Sequence, residues 1–462
     1  MRIAVKTYLD KIIEKIVKFC NKLNEHHMLW IISFAIIYKF LLDISYIFII
    51  SPIFSYQGMT LEPSALKYLL STFLYFFLFC VMPKNENDFA AYFLNLQFVV
   101  MLAPMLCLYA LQSRNNTTYV IIVCVCVLLQ IIILKRKTTE NNRVTVYIKD
   151  AKCYTIVFLI LFIAFCGIVP ILYNGFAGIK AFDFSYIYKM RSSADYPPLF
   201  GYFLPWVTRA IIPFFIVYSL TKRKYFYSIL LCTTQLIFYM AIGEKVMFLI
   251  LPVIIGVFIF ARLNILTKGM YFTLASGCLV TTVMALLEKS TQVLWINAFW
   301  GHRFLFIPAQ IKFQFYEVFS QYPNLFFGDG LIGHLFSLPY IFANSTGRVV
   351  FAYYNEGSFG AQSNTGYWGD SYAQMGFCGI VLMSILLAYI IKFIDNSTTN
   401  LGFASLAGVF SVPIVQLNDG ALFTIILTGG MLVLLFLVFI FNEPPDSDKN
   451  RFRRGTYYDN CV

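Results

Sequence analysis

Residues 28–50 read MLWIISFAIIYKFLLDISYIFII, and this stretch decides the fold class of the chain. Roughly 20 helical residues span the hydrocarbon core of a bilayer, which is about 30 Å thick. The stretch is long and apolar enough to do so, and its two charged residues, Lys39 and Asp43, stand four positions apart. That spacing places both on one side of a helix, where they form a structural ion pair. The stretch therefore predicts a membrane-spanning helix.

Similar apolar runs recur along the whole chain. The sequence is 59% hydrophobic and 13% charged, with a mean hydropathy of +0.72, whereas soluble domains average about 45–50% apolar and about 25% charged residues. We therefore predict an all-α fold, a polytopic membrane helical bundle with about twelve spanning helices. The other predicted spans are residues 65–82, 89–111, 118–134, 153–172, 203–221, 225–241, 247–261, 270–287, 374–394, 401–417 and 421–441.

Lysine and arginine fall in one set of alternate connections between these spans. Such residues are retained on the cytoplasmic side, so this face is predicted to be cytoplasmic, with both termini on it. In the N-terminal arm, apolar residues and lysines recur at helical spacing on two different sides of a helix. This pattern is typical of a helix that lies on a lipid surface. The predicted organisation is a basic amphipathic helix at 1–27, nine spans within 28–287 with an external loop at 173–203, a large extracytoplasmic loop containing short helices at 288–373, three spans within 374–441 and a cytoplasmic tail at 442–462.

Composition and motifs exclude several classes of function. The net charge of +12 follows from the insertion bias of the connections, so no nucleic acid is expected as a partner. Most of the cysteines fall in predicted spans, which argues against a disulfide framework or a zinc site. The longest internal cytoplasmic connection, 135–152, lacks the glycine-rich cradle of a nucleotide site. The remaining classes are a membrane enzyme with a lipid-activated substrate and a transporter.

The two external loops combine cations with aromatic residues. Guanidinium groups bind phosphate oxygens and flat rings stack on sugars, so the combination suits an anionic headgroup joined to a glycan. Aromatic residues also line any membrane interface, and that reading stays open. Arg209, near the outer end of the sixth predicted span, is either a site residue or a residue that reaches the headgroups. The stretch 303–322 is predicted as a helix along the outer interface that either covers the bundle or roofs a lipid-facing cavity.

The order of these elements resembles the Wzy-type O-antigen polymerases, which polymerise oligosaccharide repeat units. The resemblance covers roughly residues 173–395 and is carried by YNGF at 173–176, YMAIGEKVMFLI at 239–250, GHRFLFIPA at 301–309 and NTGYWGDSYAQMGFCGI at 364–380. In the short outer turn the chain carries Glu244 and Lys245 where the resemblance implies a small residue and an arginine. The resemblance implies a GT-C-like bundle in the bacterial inner membrane.

The implied reaction transfers a growing glycan from undecaprenyl diphosphate to the terminal sugar hydroxyl of an incoming lipid-linked repeat unit. An O-antigen ligase and a lipid-linked oligosaccharide flippase or transporter remain alternatives. The loops lack a carboxylate pair that would hold a divalent ion, so a metal-independent reaction without cofactor is predicted. The expected partners are the undecaprenyl-diphosphate-linked oligosaccharide and, in the same membrane, a chain-length regulator and a flippase.

The candidate residues divide by role. Phosphate recognition calls for cations, proton transfer calls for a histidine or carboxylate, and sugar binding calls for amides and aromatic rings. Glu317 and Glu356 are further alternatives for the base. The candidates are His302, Asp370 and His334 as catalytic bases, Arg303, Arg191, Arg209, Lys245 and Arg348 as diphosphate contacts, and Asn364, Tyr367 and Trp368 as contacts to the acceptor sugar.

Overall fold

The computed structural model describes residues 25–114, 116–135, 151–183, 186, 196–197, 199–287, 298–396 and 401–442. Within these ranges all regular secondary structure is helical. We number the helices α1 (His27–Gln57), α2 (Ala65–Val81), α3 (Phe89–Leu111), α4 (Thr117–Lys135), α5 (Ala151–Asn174), α6 (Phe200–Thr221), α7 (Tyr225–Ile242), α8 (Lys245–Arg262), α9 (Leu266–Leu287), α10 (Ile307–Phe319), α11 (Leu331–Phe336), α12 (Thr346–Tyr354), α13 (Tyr367–Asn396), α14 (Phe403–Gln416) and α15 (Leu422–Phe441).

Ten helices in the described part of the chain are long and apolar enough to cross a membrane. Two shorter apolar helices, α2 and α14, coincide with further predicted spans. The prediction of a polytopic helical membrane protein is therefore confirmed, while the full count of about twelve spans stays a prediction. The N-terminal amphipathic helix, apart from its last residues, the C-terminal tail beyond Asn442, and Arg191 lie outside the described residues.

Four π-helical segments interrupt or precede the helices, and each is followed closely by a proline. The segments are Tyr46–Ile50, Phe98–Leu102, Trp206–Ile211 and Ala298–Phe306, and the prolines are Pro52, Pro104, Pro213 and Pro308. A proline inside a helix lacks the N–H donor and clashes with the carbonyl four residues earlier. A wider turn relieves that clash without ending the helix, so these prolines account for the four segments.

The chain divides into two compact units, each built from separate stretches of sequence. Unit 1 takes its described residues from Met1–Arg136, Arg262–Ile391 and Ile414–Leu422, and unit 2 from Lys137–Ala261, Lys392–Pro413 and Phe423–Val462.

In unit 1 the central helix is α3, whose spanning window is entirely buried. The helices α1, α2, α4, α9 and α10 pack around it. Because α3 is apolar on every side, it has no face to present to lipid or water, as expected of a helix in the core of a bundle. The predicted pair in α1 is present, with Lys39 Nζ 2.5 Å from Asp43 Oδ2, and Tyr68 donates to the same oxygen.

One end of unit 1 collects connections that the sequence assigned to the cytoplasmic face. Glu86 accepts a hydrogen bond from Thr267 N at 2.6 Å and lies 3.7 Å from Lys268 Nζ. His27 contacts the same carboxylate at 3.6 Å, and Lys135 donates to Val81 O at 3.0 Å. These contacts join the basic connections at one end. This is expected, because consecutive spans cross a membrane in opposite directions and every second connection lies on the same face.

In unit 2, α6 packs against α5, α7 and α15. Trp206 of α6 donates from Nε1 to Leu427 O at 2.6 Å. Gly430, in the turn that interrupts α15, has a positive φ of 86°, and a Cβ there would lie 2.7 Å from Ala210 Cβ. Glycine therefore permits both the turn and the close approach to α6.

Two features of the long segment and its end can be compared with the prediction. The loop helix predicted along the outer interface is α10, but it is packed inside unit 1 against α3. Its buried residues lie on most of its sides, which is the pattern of a core helix and not of a helix on a surface. The helix α13 starts at Tyr367 and is broken at Met375 and Gly376, next to residue 374, where the tenth span is predicted to begin.

Candidate functional site

The segment that opens the large loop carries His302 and Arg303 in the π-helical turn before α10. The imidazole of His302 is only 3% exposed and stacks on Phe54, with ring centroids 3.8 Å apart and planes at 4°. No described residue hydrogen-bonds to its Nε2. Burial, with a smaller effect from Arg303, lowers the pKa of His302 to about 4. The imidazole is therefore neutral at pH 7 and a weak proton acceptor.

Arg303 stands beside this enclosed ring with its side chain exposed. Among the described residues, none forms an ion pair or a hydrogen bond with its guanidinium. Arg348, in the first turn of α12, is exposed in the same way. Both side chains keep all their N–H donors for an anion, which is the property that the predicted diphosphate contact requires.

Nine positions after Arg303, α10 buries a lysine to which the sequence patterns assigned no role. Lys312 has no exposed surface, and its Nζ donates to Asn418 Oδ1 at 2.7 Å, Asn418 O at 2.8 Å and Pro308 O at 3.2 Å. Gly366, just before α13, lies against the same lysine, since a Cβ there would be 2.8 Å from Lys312 Cε. Lys312 therefore joins α10 to the start of α13 and to the connection after α14.

The predicted acceptor-sugar residues meet different environments at that junction. Asn364 is exposed, whereas Tyr367 and Trp368 are fully buried. The Tyr367 hydroxyl accepts hydrogen bonds from Gln97 at 2.8 Å and from Gln130 at 3.3 Å. Tyr367 and Trp368 thus have no surface for a sugar in this structure, because α13 begins early enough to draw both rings into the bundle. Both rings are therefore buried where exposed contacts were expected, and their role toward the acceptor sugar stays a prediction.

Asp370 occupies the first turn of α13 and is partly exposed. Its Oδ1 accepts from Gln374 Nε2 at 3.3 Å, and Gln374 Oε1 in turn accepts from Phe327 N at 2.7 Å. The carboxylate is therefore positioned by the loop before α11. His334 belongs to α11, but its side chain lies outside the described atoms.

A charged cluster at connections of unit 1 that the sequence predicts to be external was also missed. Arg114 Nη1 donates to Glu317 Oε2 at 2.7 Å, and the Tyr354 hydroxyl donates to the same oxygen. Glu317, one of the alternative bases, is consequently committed to two donors. Arg114 and Glu317 are 203 positions apart, so no local spacing could have revealed the pair.

Arg209 and Lys245 belong to unit 2. The sequence offered Arg209 no obvious partner, yet its Nη2 donates to Glu244 Oε2 at 3.1 Å. Glu244 replaces the small residue that the resemblance implies, and it neutralises the arginine. Arg209 is therefore a weaker candidate for an anion contact than Arg303. Lys245 begins α8 and is partly exposed.

No group of three or more His, Cys, Asp or Glu side chains in the described ranges is arranged to hold a metal ion.

Fold and composition define the class: this is a polytopic, all-helical membrane protein with exposed arginines in its longest segment between candidate spans. Comparisons with protein-family models, with curated proteins and with solved structures give no match for this chain. Its function must therefore be argued from its own residues.

Proposed function

We propose that this protein polymerises lipid-linked oligosaccharide repeat units of the O-antigen or capsule type. It transfers the growing glycan from undecaprenyl diphosphate to the terminal sugar hydroxyl of an incoming lipid-linked unit. The proposal includes a GT-C-like bundle of about twelve spans in the bacterial inner membrane, with the large loop outside the cytoplasm.

One observation carries the proposal. Arg303 exposes a guanidinium at the start of the long segment between α9 and α13, and no described residue neutralises it. An unpaired arginine beside the enclosed His302 suits an anionic ligand, because a guanidinium fork binds two oxygens of one phosphate. Arg348 offers a second such group.

The reaction requires little beyond charge stabilisation and the transfer of one proton. The acceptor hydroxyl oxygen forms a bond to the anomeric carbon of the donor, and the bond from that carbon to the diphosphate oxygen breaks. The electron pair leaves with the polyprenyl diphosphate, whose charge Arg303 stabilises. Asp370 is partly exposed as a residue, whereas His302 is enclosed and weakly basic. Asp370 is thus the better acceptor for the hydroxyl proton.

The proposal is tested in the host strain after deletion of the gene and complementation with variants. Arg303→Ala removes the diphosphate contact, and we expect long surface glycans to fall by about 10²-fold, the usual loss for a charge-stabilising donor. Single repeat units should still cap the surface lipid. Arg303→Lys should keep part of the activity, because it retains the charge without the planar fork. Electrophoresis of the surface glycans measures the result.

The matched control is Lys224→Ala, an exposed cation in the connection between α6 and α7 that should leave the glycan ladder unchanged. Immunoblots must show equal amounts of each variant. A normal ladder with Arg303→Ala contradicts the proposal. Lipid-linked polymer that is made but not attached would instead indicate a ligase, and loss of even single repeat units from the surface would indicate a flippase.

A further inference from the structure

We infer that Lys67 and Arg114 form a second anion site, which takes the phosphate group of a lipid headgroup or of a diphosphate. Neither residue was singled out by the sequence patterns, and the proposed reaction does not use them. The inference concerns binding alone, so it stands whether or not the protein is a polymerase.

The two cations are held together by the backbone. Lys67 lies in the first turn of α2, and Arg114 lies in the connection between α3 and α4. Lys67 Nζ donates to Arg114 O at 2.7 Å and approaches Gln112 O at 3.5 Å. The ammonium also lies 5.7 Å from the centre of the Tyr109 ring. These contacts fix the ammonium without neutralising it, because every partner is uncharged.

The cluster keeps an excess of positive charge and of donors. Arg114 uses Nη1 for Glu317 at 2.7 Å and Nε for Gln112 Oε1 at 3.1 Å. The guanidinium also has a side-chain hydrogen bond with Tyr354, and the Arg114 side chain remains 17% exposed. Glu317 is the one carboxylate in ion-pair contact with either cation in the described ranges. Two cations therefore face a single carboxylate.

Asn116, which contacts the same backbone oxygen through its main chain, carries a buried side-chain amide. Asn116 is only 1% exposed, and both its Nδ2 and its Oδ1 lack a partner among the described residues. Its backbone N donates at 3.2 Å to Arg114 O, the oxygen that Lys67 also contacts. An unpaired buried amide costs about 1–3 kcal/mol. A bound ligand oxygen that accepts from Nδ2 would remove part of that cost.

Gly58 leaves room next to the guanidinium. Its φ is 81°, and a Cβ at this position would lie 3.6 Å from Arg114 Nη2 and 2.9 Å from Gln310 Nε2. A larger residue would strain the backbone and occupy the space beside Nη2.

Phosphate is the ligand that these donors suit best. A guanidinium edge, an ammonium and an amide N–H can each bind a different oxygen of a tetrahedral phosphate. The cations lie at the ends of apolar helices, α2 and α3, and the ends of membrane helices stand at the level of the lipid headgroups. A phospholipid or a polyprenyl diphosphate would both present such a group there.

The test measures the thermal unfolding midpoint of the purified full chain in detergent during titration with dioctanoyl phosphatidylglycerol or inorganic pyrophosphate. A ligand that binds only the native state raises the midpoint, and the rise grows with the logarithm of one plus the ratio of ligand concentration to dissociation constant. We expect Lys67→Gln to raise the dissociation constant about tenfold, since a charge-assisted hydrogen bond is lost. We expect Glu317→Gln to lower it several-fold, because the competing carboxylate is removed. Dioctanoylglycerol, which lacks phosphate, should give no shift.

Lys84→Gln is the matched control. Like Lys67, Lys84 donates to two backbone carbonyls, Phe79 O at 2.7 Å and Met82 O at 3.3 Å. Its ammonium also lies 4.5 Å from the centre of the Phe79 ring. Its removal should leave the ligand-induced shift unchanged. A shift with phosphatidylglycerol alone identifies a lipid headgroup, and a shift with pyrophosphate as well identifies a diphosphate group; both support the site. Unchanged affinity in Lys67→Gln, or equal weakening in Lys67→Gln and Glu317→Gln, overturns it.

Discussion

Replacing Lys312 by alanine is expected to lower the free energy of unfolding by about 2–4 kcal/mol. The substitution leaves Asn418 O and Asn418 Oδ1, both enclosed by α10 and the start of α13, without their donor. Each buried acceptor left unpaired costs about 1–3 kcal/mol, and the shortened side chain adds a cavity. Denaturant or thermal unfolding of the purified protein measures the loss. Lys224→Ala, at an exposed lysine, should change stability by less than about 0.5 kcal/mol.

The same lysine should make stability depend on pH. Burial lowers the pKa of Lys312 to about 7, whereas a lysine in the unfolded chain titrates near 10.4. Between these values the unfolded chain holds the proton and the native state has released it, so stability rises with pH across this window. Below pH 7 both states are protonated and the full burial cost remains.

Lys312→Met separates this effect from the other lysines. The substitution removes the titrating group but nearly keeps the volume, so the rise in unfolding midpoint between pH 7 and 10 should become smaller than in the unsubstituted protein. A midpoint that falls over this interval would mean that the charge of Asp419 and the accepting oxygens stabilise the ammonium by more than burial penalises it.

Gly379→Ala is the second substitution with a large expected effect. A Cβ at Gly379 would lie 2.1 Å from Ser371 O, a backbone atom that cannot move without shifting α13. This close approach arises because the helix is broken at Met375 and Gly376, where the φ of Gly376 is 61° and its ψ is −147°. We expect a loss of about 3 kcal/mol, since overpacking against a rigid neighbour is costly.

Two further glycines test this explanation. Gly376→Ala should destabilise by about 1–3 kcal/mol, because its backbone conformation is close to a region that only glycine adopts readily. Gly256→Ala is the control: Gly256 lies inside α8 with no atom within 4 Å of the added Cβ. There alanine should be neutral or stabilise by up to about 1 kcal/mol, since it favours helix. Similar losses at Gly256 and Gly379 would contradict the steric explanation.

The spans and the Lys39–Asp43 pair were predictable because their signals are local. The length of an apolar run can be read directly from the sequence. A pair of residues four positions apart is brought together by the helix itself. The break in α13 was not predicted. It depends on the preceding loop, where Leu325 N donates to Ala373 O at 3.1 Å and Phe326 N to Gln374 O at 3.0 Å. Those bonds occupy carbonyls that the break would otherwise leave free.

The candidate site was predicted only in part. Arg303 and Arg348 are exposed as a loop cation should be. The pairs that reassign other residues join distant positions, as between Arg209 and Glu244 or between Arg114 and Glu317. Hydropathy also treats every lysine in a polar loop as solvated, so the burial of Lys312 had no sequence signal. Two of the three oxygens that accept its hydrogen bonds belong to Asn418, in another part of the chain.

The discontinuity of unit 1 has a consequence for biosynthesis. Lys312 enters the growing chain long before Asn418, and at about 5–20 residues per second the ribosome needs about 5–20 s for the 106 positions between them. Throughout that delay the ammonium lacks its final acceptors and must stay hydrated or on lipid phosphate. Unit 1 can therefore close only near the end of translation, and truncation before Asn418 should leave an immature protein that quality-control proteases recognise.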